Sequence, residues 1–242
     1  MKKSALIIVL FSFIFASQAF ADDVVVVELF TSQGCEKCPP ANMLMEDLSR
    51  DKTVVSLSWH VDYWDFMGWQ DTMAKPAFTE RQKAYNEALG RKGVYTPQAI
   101  INGRSQVAGS NKMDLYEIIH NSKASDEMPV TVIFEGDLSS LKIKLNGPET
   151  AEGAVIKIIW LDSLQRIKIS DGKNAGKTIT YVNVVKNVKN IGVFQGEDLT
   201  IPLDLNDADR NGADRIVVLL QMGETGPILG AAKIDLERLP AN

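Results

Sequence analysis

Residues 31–41 read TSQGCEKCPPA and hold the only two cysteines of the chain, Cys35 and Cys38. Before them, Val24–Phe30 reads VVVVELF, the continuous apolar run expected of a buried, parallel-type strand. After them, Ala41–Leu48 is rich in helix formers, with Leu44, Met45 and Leu48 on one face. A cysteine pair at a strand-to-helix junction is a redox pair, part of a metal site, or a structural bridge. A bridge across so short a loop constrains the unfolded chain little. A closed zinc site takes four ligands, commonly Cys or His, and the whole chain offers two cysteines and two histidines. Redox chemistry is the reading these residues favour, and no cofactor is implied.

The N-terminus supports it. Lys2 and Lys3 precede an apolar run from Ala5 to Phe15, and Ala19–Ala21 reads AFA. This is the pattern of a secretory signal peptide over residues 1–21, too short and too soon followed by Asp22 and Asp23 for a membrane anchor. The expected destination is an oxidising compartment, periplasmic or extracellular, where disulfides persist. A net charge of −5 with no basic run argues against a nucleic-acid partner.

Further along, Thr53–Val61 reads as a second buried strand. An aromatic and helical insertion follows over about 62–93, with an amphipathic helix at 76–89 between Pro76 and Gly90. Asn102-Gly103 marks a hairpin, and Asn111–Asn121 a closing helix. Composition shifts at 123–129, which reads as a linker. Beyond it apolar residues alternate: Val130, Val132 and Phe134; Leu141, Ile143 and Leu145; Ile156, Ile158 and Trp160; Ile216, Val218 and Leu220. Short alternating strands between turn signals predict an all-β antiparallel sandwich over 130–242.

The order of residues 22–122 is strand, CxxC, helix, strand, insertion, Thr96-Pro97, hairpin and helix. This resembles the thioredoxin fold. More narrowly, ELFTSQGC..CPP, HVDYWD..GW and VYTPQ..ING resemble a secreted bacterial thioredoxin-like family of unknown function. The resemblance implies an α/β thioredoxin-like domain, with a cis-proline at Pro97 packed against the cysteines and Pro97 presenting backbone to an extended substrate. It also implies protein or small thiol and disulfide substrates. A thiol at a helix N-terminus is acidified, so Cys35 is the expected nucleophile and Cys38 the more buried resolving thiol.

Five accessory residues come with alternatives. Relatives keep a buried acid under the second cysteine. Glu28 is the candidate here, or else a strand-edge carboxylate in solvent. His60, Asp62 and Tyr63 leave the second strand at the edge where the CxxC opens, and Thr96 precedes the proline. His60 is a site residue or a core histidine; with Cys35 and Cys38 it would make a Cu(I) set. Tyr63, Trp64, Phe66 and Trp69 line a peptide groove or pack the insertion. Asp207, Asp209 and Asn211 match half a calcium loop, but Val218 stands where its glutamate belongs, so a solvated hairpin is the default. SDGKNAGK, residues 170–177, reads as a turn. The expected function is exported thiol-disulfide exchange; the alternative is a binding module whose CxxC is a vestige.

Overall fold

A computed structural model of the protein describes residues 24–125, 128–205, 210 and 212–238. The expected leader and the half calcium loop of Asp207, Asp209 and Asn211 lie outside the described residues. Among those described, no helix is long and apolar enough to cross a membrane.

The first part follows the sequence closely: β1 (Val25–Thr31), α1 (Pro39–Ser49), β2 (Val54–His60), α2 (Pro76–Ala88), β3 (Gln98–Ile101), β4 (Ser105–Ala108) and α3 (Lys112–Lys123). Pro76 opens α2 at a position where a missing N–H costs nothing. Asn111 caps α3, its side chain accepting from the Asp114 amide. Asn102 and Gly103 take positive φ in the β3–β4 turn. Asn102 also accepts from the Val26 amide at 2.8 Å, so it ties the hairpin to β1. The second part supplies β5 (Thr131–Glu135), β6 (Lys142–Asn146), β7 (Ala154–Lys168), β8 (Thr178–Val193), β9 (Leu199–Pro202), β10 (Arg215–Met222) and β11 (Ile228–Asp235).

The strands form a mixed eight-stranded sheet, ordered β11-β10-β7-β8-β2-β1-β3-β4, and a three-stranded antiparallel sheet, β5-β6-β9. The expectation of two self-contained sheets therefore needs correction: β8 pairs parallel to β2 at Ser58 and Val184, so one sheet runs through both parts. In the second part the smaller antiparallel sheet has its own core. Its core of Val132, Phe134, Ile143, Leu145, Ile156, Trp160, Ile216 and Val218 joins the small sheet to β7 and β10. The opposite face of β7 and β10 is also apolar. Ile159, Leu161, Val217 and Leu219 share a core with Phe30, Trp59, Phe78 and Tyr85 from the first part. Helix α2 packs on that face, while α1 and α3 pack on the other through Met45, Leu48, Leu115 and Ile119. The sheet curls enough for Ile228 N–H to donate to Asn102 O at 2.9 Å. A Cβ on Gly103 would come 2.2 Å from Gly226 O, so only glycine fits where these two turns meet.

Candidate functional site

The turn after β1 carries Cys35 and Cys38, joined by a disulfide. Cys38 is the N-cap of α1 and Pro39 and Pro40 open the helix, so the pair sits just outside the helix and not within its first turn. The Asn42 amide donates to Cys38 O at 3.1 Å, and the Cys38 amide to Cys35 O at 3.3 Å. The expected contrast in burial is absent: Cys35 is 1% exposed and Cys38 0%.

Two segments provide the cover. One is the insertion. A Cβ on Gly34 would lie 3.2 Å from Trp64 Cβ, so Trp64 rests directly on the turn. Its Nε1 donates to Thr96 Oγ1 at 2.8 Å, which links the cysteine turn to the Thr96–Pro97 bond. That bond is cis. A Cβ on Gly109 would meet both Pro97 Cβ, at 3.3 Å, and Ala41 Cβ, at 3.5 Å, so Pro97 lies beside the first turn of α1. Pro97 is expected to present backbone to a substrate; its carbonyl accepts the Gly109 amide at 2.9 Å. The other cover is the turn between β7 and β8. Asn174 is fully buried, and its Nδ2 donates to Gln33 O and to Cys35 O, each at 2.9 Å. Nothing in SDGKNAGK distinguishes a buried asparagine from a turn asparagine, so the role of Asn174 is not legible in the sequence.

Of the accessory candidates, His60 is tied to the turn through Asp71. It is fully buried, and its Nδ1 donates to Asp71 Oδ2 at 2.7 Å. The same oxygen accepts the Gln33 amide at 2.7 Å, two residues before Cys35, and Oδ1 accepts the Met73 amide at 2.9 Å. Burial would raise the Asp71 carboxyl; the His60 ring and these hydrogen bonds outweigh it and hold the group below its ordinary value. Gln33 is held further by Trp69 Nε1 at 2.8 Å and by Thr72 Oγ1 at 3.1 Å. The His60 ring meets Tyr181 edge-on, with centroids 4.8 Å apart. His60 Nε2 and the Tyr181 hydroxyl are both buried without a partner among the described residues.

Glu28 is placed elsewhere. It is fully buried and pairs with Arg81 of α2, Nε to Oε2 at 2.8 Å and Nη2 to Oε1 at 2.9 Å. The Tyr85 hydroxyl also donates to it. Glu28 therefore faces α2, across the sheet from α1 and the cysteines, and is neither a strand-edge carboxylate nor the acid beneath Cys38. The alternation of a strand decides this: Glu28 shares its face with Val26 and Phe30. Asp62 and Tyr63 are also turned toward α2, through Thr79 at 2.6 Å and Gln82 at 3.2 Å. Burial pushes the Tyr63 hydroxyl up to about 12. Among the described residues no three His, Cys, Asp or Glu are placed to hold a metal, so the Cys35, Cys38 and His60 set for Cu(I) is not assembled here.

Comparison with known proteins extends the fold rather than the chemistry. The chain is similar to the crystal structure of protein AGR_C_4864 from Agrobacterium tumefaciens, with a TM-score of 0.79 and 32% identity over 90% of this chain and 96% of that one. It is also similar to HBP35 of Porphyromonas gingivalis, with a TM-score of 0.62 and 15% identity over 90% and 76%. At that identity the second likeness is one of fold alone. No curated protein matches the chain. Residues 26–221 match the family model described as "Protein of unknown function (DUF1223)", and the chain belongs to that family.

Proposed function

We propose that the protein is an exported thiol-disulfide exchange protein whose first part is thioredoxin-like. The observation that carries this reading is the Cys35–Cys38 bond at the β1–α1 junction. The surroundings support it. The strand order β2-β1-β3-β4, with α1 and α3 on one face and α2 on the other, is the arrangement the resemblance implies. The lysine-flanked apolar leader supports export.

In the exchange, a client thiolate attacks Cys35 Sγ and breaks the Cys35–Cys38 bond, leaving a mixed disulfide and a Cys38 thiolate. A second client thiolate attacks the client sulfur of that adduct and releases Cys35 as thiolate. The client gains a disulfide and the pair gains two electrons. Run in reverse, the reduced pair opens a client disulfide, with Cys38 displacing the client.

Near-complete burial of both cysteines favours a second reading, a binding module in which the CxxC stays closed. Trapping separates the two. Cys38→Ser, expressed in the exporting compartment, should collect mixed disulfides on Cys35, seen on non-reducing gels and lost on reduction. Cys35→Ser should collect few. Absence of adducts from both variants would reject exchange in favour of the binding module.

A further inference from the structure

Deepening the exchange reading, on which it rests, we infer that Asn174 is a positioning residue of the cysteine site and that the hairpin end carrying it is a strap that must lift before the disulfide can react.

The turn between β7 and β8 is built like a free hairpin tip. Ser170, Asp171, Lys173, Ala175, Gly176 and Lys177 are all exposed, yet Asn174 among them is 0% exposed. Its amide leaves nothing unused. Both donated bonds go to the cysteine turn, at Gln33 O and Cys35 O, and Oδ1 accepts from Lys177 Nζ at 2.9 Å. Cys35 O is the same oxygen that accepts the Cys38 amide, so Asn174 fixes the Cys35–Glu36 peptide inside the redox turn. Gly172 also seats the tip, while Trp69 and Met73 of the insertion pack against the hairpin root. A Cβ on Gly172 would come 3.1 Å from Trp69 Cβ and 3.3 Å from Met67 O, so the hairpin lies flat on the insertion.

The strap holds itself together independently of what it covers. Ile169 N–H donates to Lys177 O and Gly176 N–H to Ile169 O, each at 2.9 Å. Its root is anchored by Ile169, Ile179 and Tyr181 in a separate apolar cluster. Lifting the tip therefore breaks the two Asn174 bonds and the Gly172 seat, and spares the hairpin and its root. An opening of that size lies far below global unfolding in cost. An attacking nucleophile must reach Cys35 Sγ in line with the bond it breaks, the closed form leaves Cys35 1% exposed, and of the two covers the strap is the one bonded directly to Cys35.

The test is the rate at which a water-soluble trialkylphosphine reduces the disulfide of the full chain. Phosphine and water yield phosphine oxide and two thiols, so no client is involved. Asn174→Ala should be reduced about tenfold faster than wild type, the effect of losing two modest hydrogen bonds. Lys173→Ala, on the exposed side of the tip, should match wild type. Asn174→Asp should open further as its carboxylate ionises against the two carbonyls, giving a rate that climbs with pH relative to wild type, a signature simple loosening lacks. A wild-type rate in Asn174→Ala overturns the strap.

Should those variants fail to fold, wild type alone still decides. Reduction through the strap predicts a shallow dependence on urea; a slope equal to that of global unfolding, or none at all, overturns it. The two proposals fail separately. Adducts on Cys38→Ser with an unaltered Asn174→Ala rate would keep exchange and remove the strap. Faster reduction without adducts would keep the strap and remove exchange.

Discussion

Two buried polar clusters flank the β1–β2 pair, one on each face of the sheet, and they are finished to different degrees. On the α2 face, Glu28 is gripped by Arg81 and Tyr85, and Gln221 of β10 closes the group through bonds to Tyr85 at 2.7 Å and from Arg81 at 3.0 Å. The Arg81 guanidinium lies 4.8 Å from the Trp59 ring centroid and 4.9 Å from that of Tyr85. Every polar side-chain atom of Glu28, Arg81, Tyr85 and Gln221 has a partner, and Trp59 Nε1 on the same face has none among the described residues. On the other face, His60 and Asp71 brace Gln33 beside the cysteine turn, while His60 Nε2 and the Tyr181 hydroxyl have no partner among the described residues. Burying a polar atom without a partner costs free energy, so a fold tends to keep such atoms where something other than stability is served. The complete cluster reads as a device that fixes how the first part docks on β10. The incomplete one lies against the candidate site.

The comparison breaks most visibly if the complete cluster proves dispensable. Glu28→Gln keeps the volume but leaves the Arg81 cation, whose side chain is 10% exposed, without its carboxylate. Removing one partner of a buried pair should cost about 3–5 kcal/mol. Urea unfolding at constant m would show it as a large fall in midpoint. A loss under about 1 kcal/mol would mean that water reaches Arg81 and that the cluster is not the structural lock described.

Asp71 tests the other face at a lower expected cost. Asp71→Asn replaces an acceptor of three hydrogen bonds by a group that cannot accept them all, a loss of about 1–3 kcal/mol near neutral pH. The sign with pH follows from its lowered pKa. The folded carboxyl holds its proton less tightly than the unfolded one at 3.8, so its contribution is full above that value and disappears as pH falls below it. The stability gap between wild type and Asp71→Asn should therefore close on acidification through that range. Denaturant midpoints on both proteins from neutral to acidic pH would show it; a gap independent of pH would place the loss in packing instead.

How far these clusters were legible from sequence depends on the reach of the interactions. The strand, the CxxC turn, α1, the Asn102-Gly103 hairpin and the closing helix are set by neighbours a few residues apart, and all were readable. Glu28 and Arg81 lie 53 residues apart, and Asn174 lies 139 from Cys35; no local pattern announces either contact. The shared sheet did leave a trace. Ile159 and Leu161, like Val217 and Leu219, fill the positions that should be polar in a one-sided strand. The alternating set Ile156, Ile158 and Trp160 marks one face, yet both faces of β7 and β10 are apolar, the mark of strands inside a sheet covered on both sides. The Glu28 reading failed on strand parity alone.

The sharpest form of the comparison uses one substitution made twice. Tyr85 and Tyr181 are both about fully buried, and burial pushes both hydroxyls above their ordinary pKa, so each stays protonated. They differ in what the hydroxyl meets. That of Tyr85 donates to Glu28 and accepts from Arg81 at 3.0 Å and from Gln221 at 2.7 Å. Tyr85→Phe leaves a buried carboxylate and two donors short of a partner, and should cost about 1–3 kcal/mol. Tyr181→Phe removes a hydroxyl that the fold leaves unpaired, so it should lie within about 0.5 kcal/mol of wild type or be slightly stabilising, since the desolvation penalty goes with the oxygen. Paired thermal unfolding of the two variants measures the difference directly, at roughly 2–4 °C per kcal/mol for a chain of this size. Equal losses would show that the Tyr181 hydroxyl is held after all, by ordered water or by a shift of His60, and that the two clusters are finished alike.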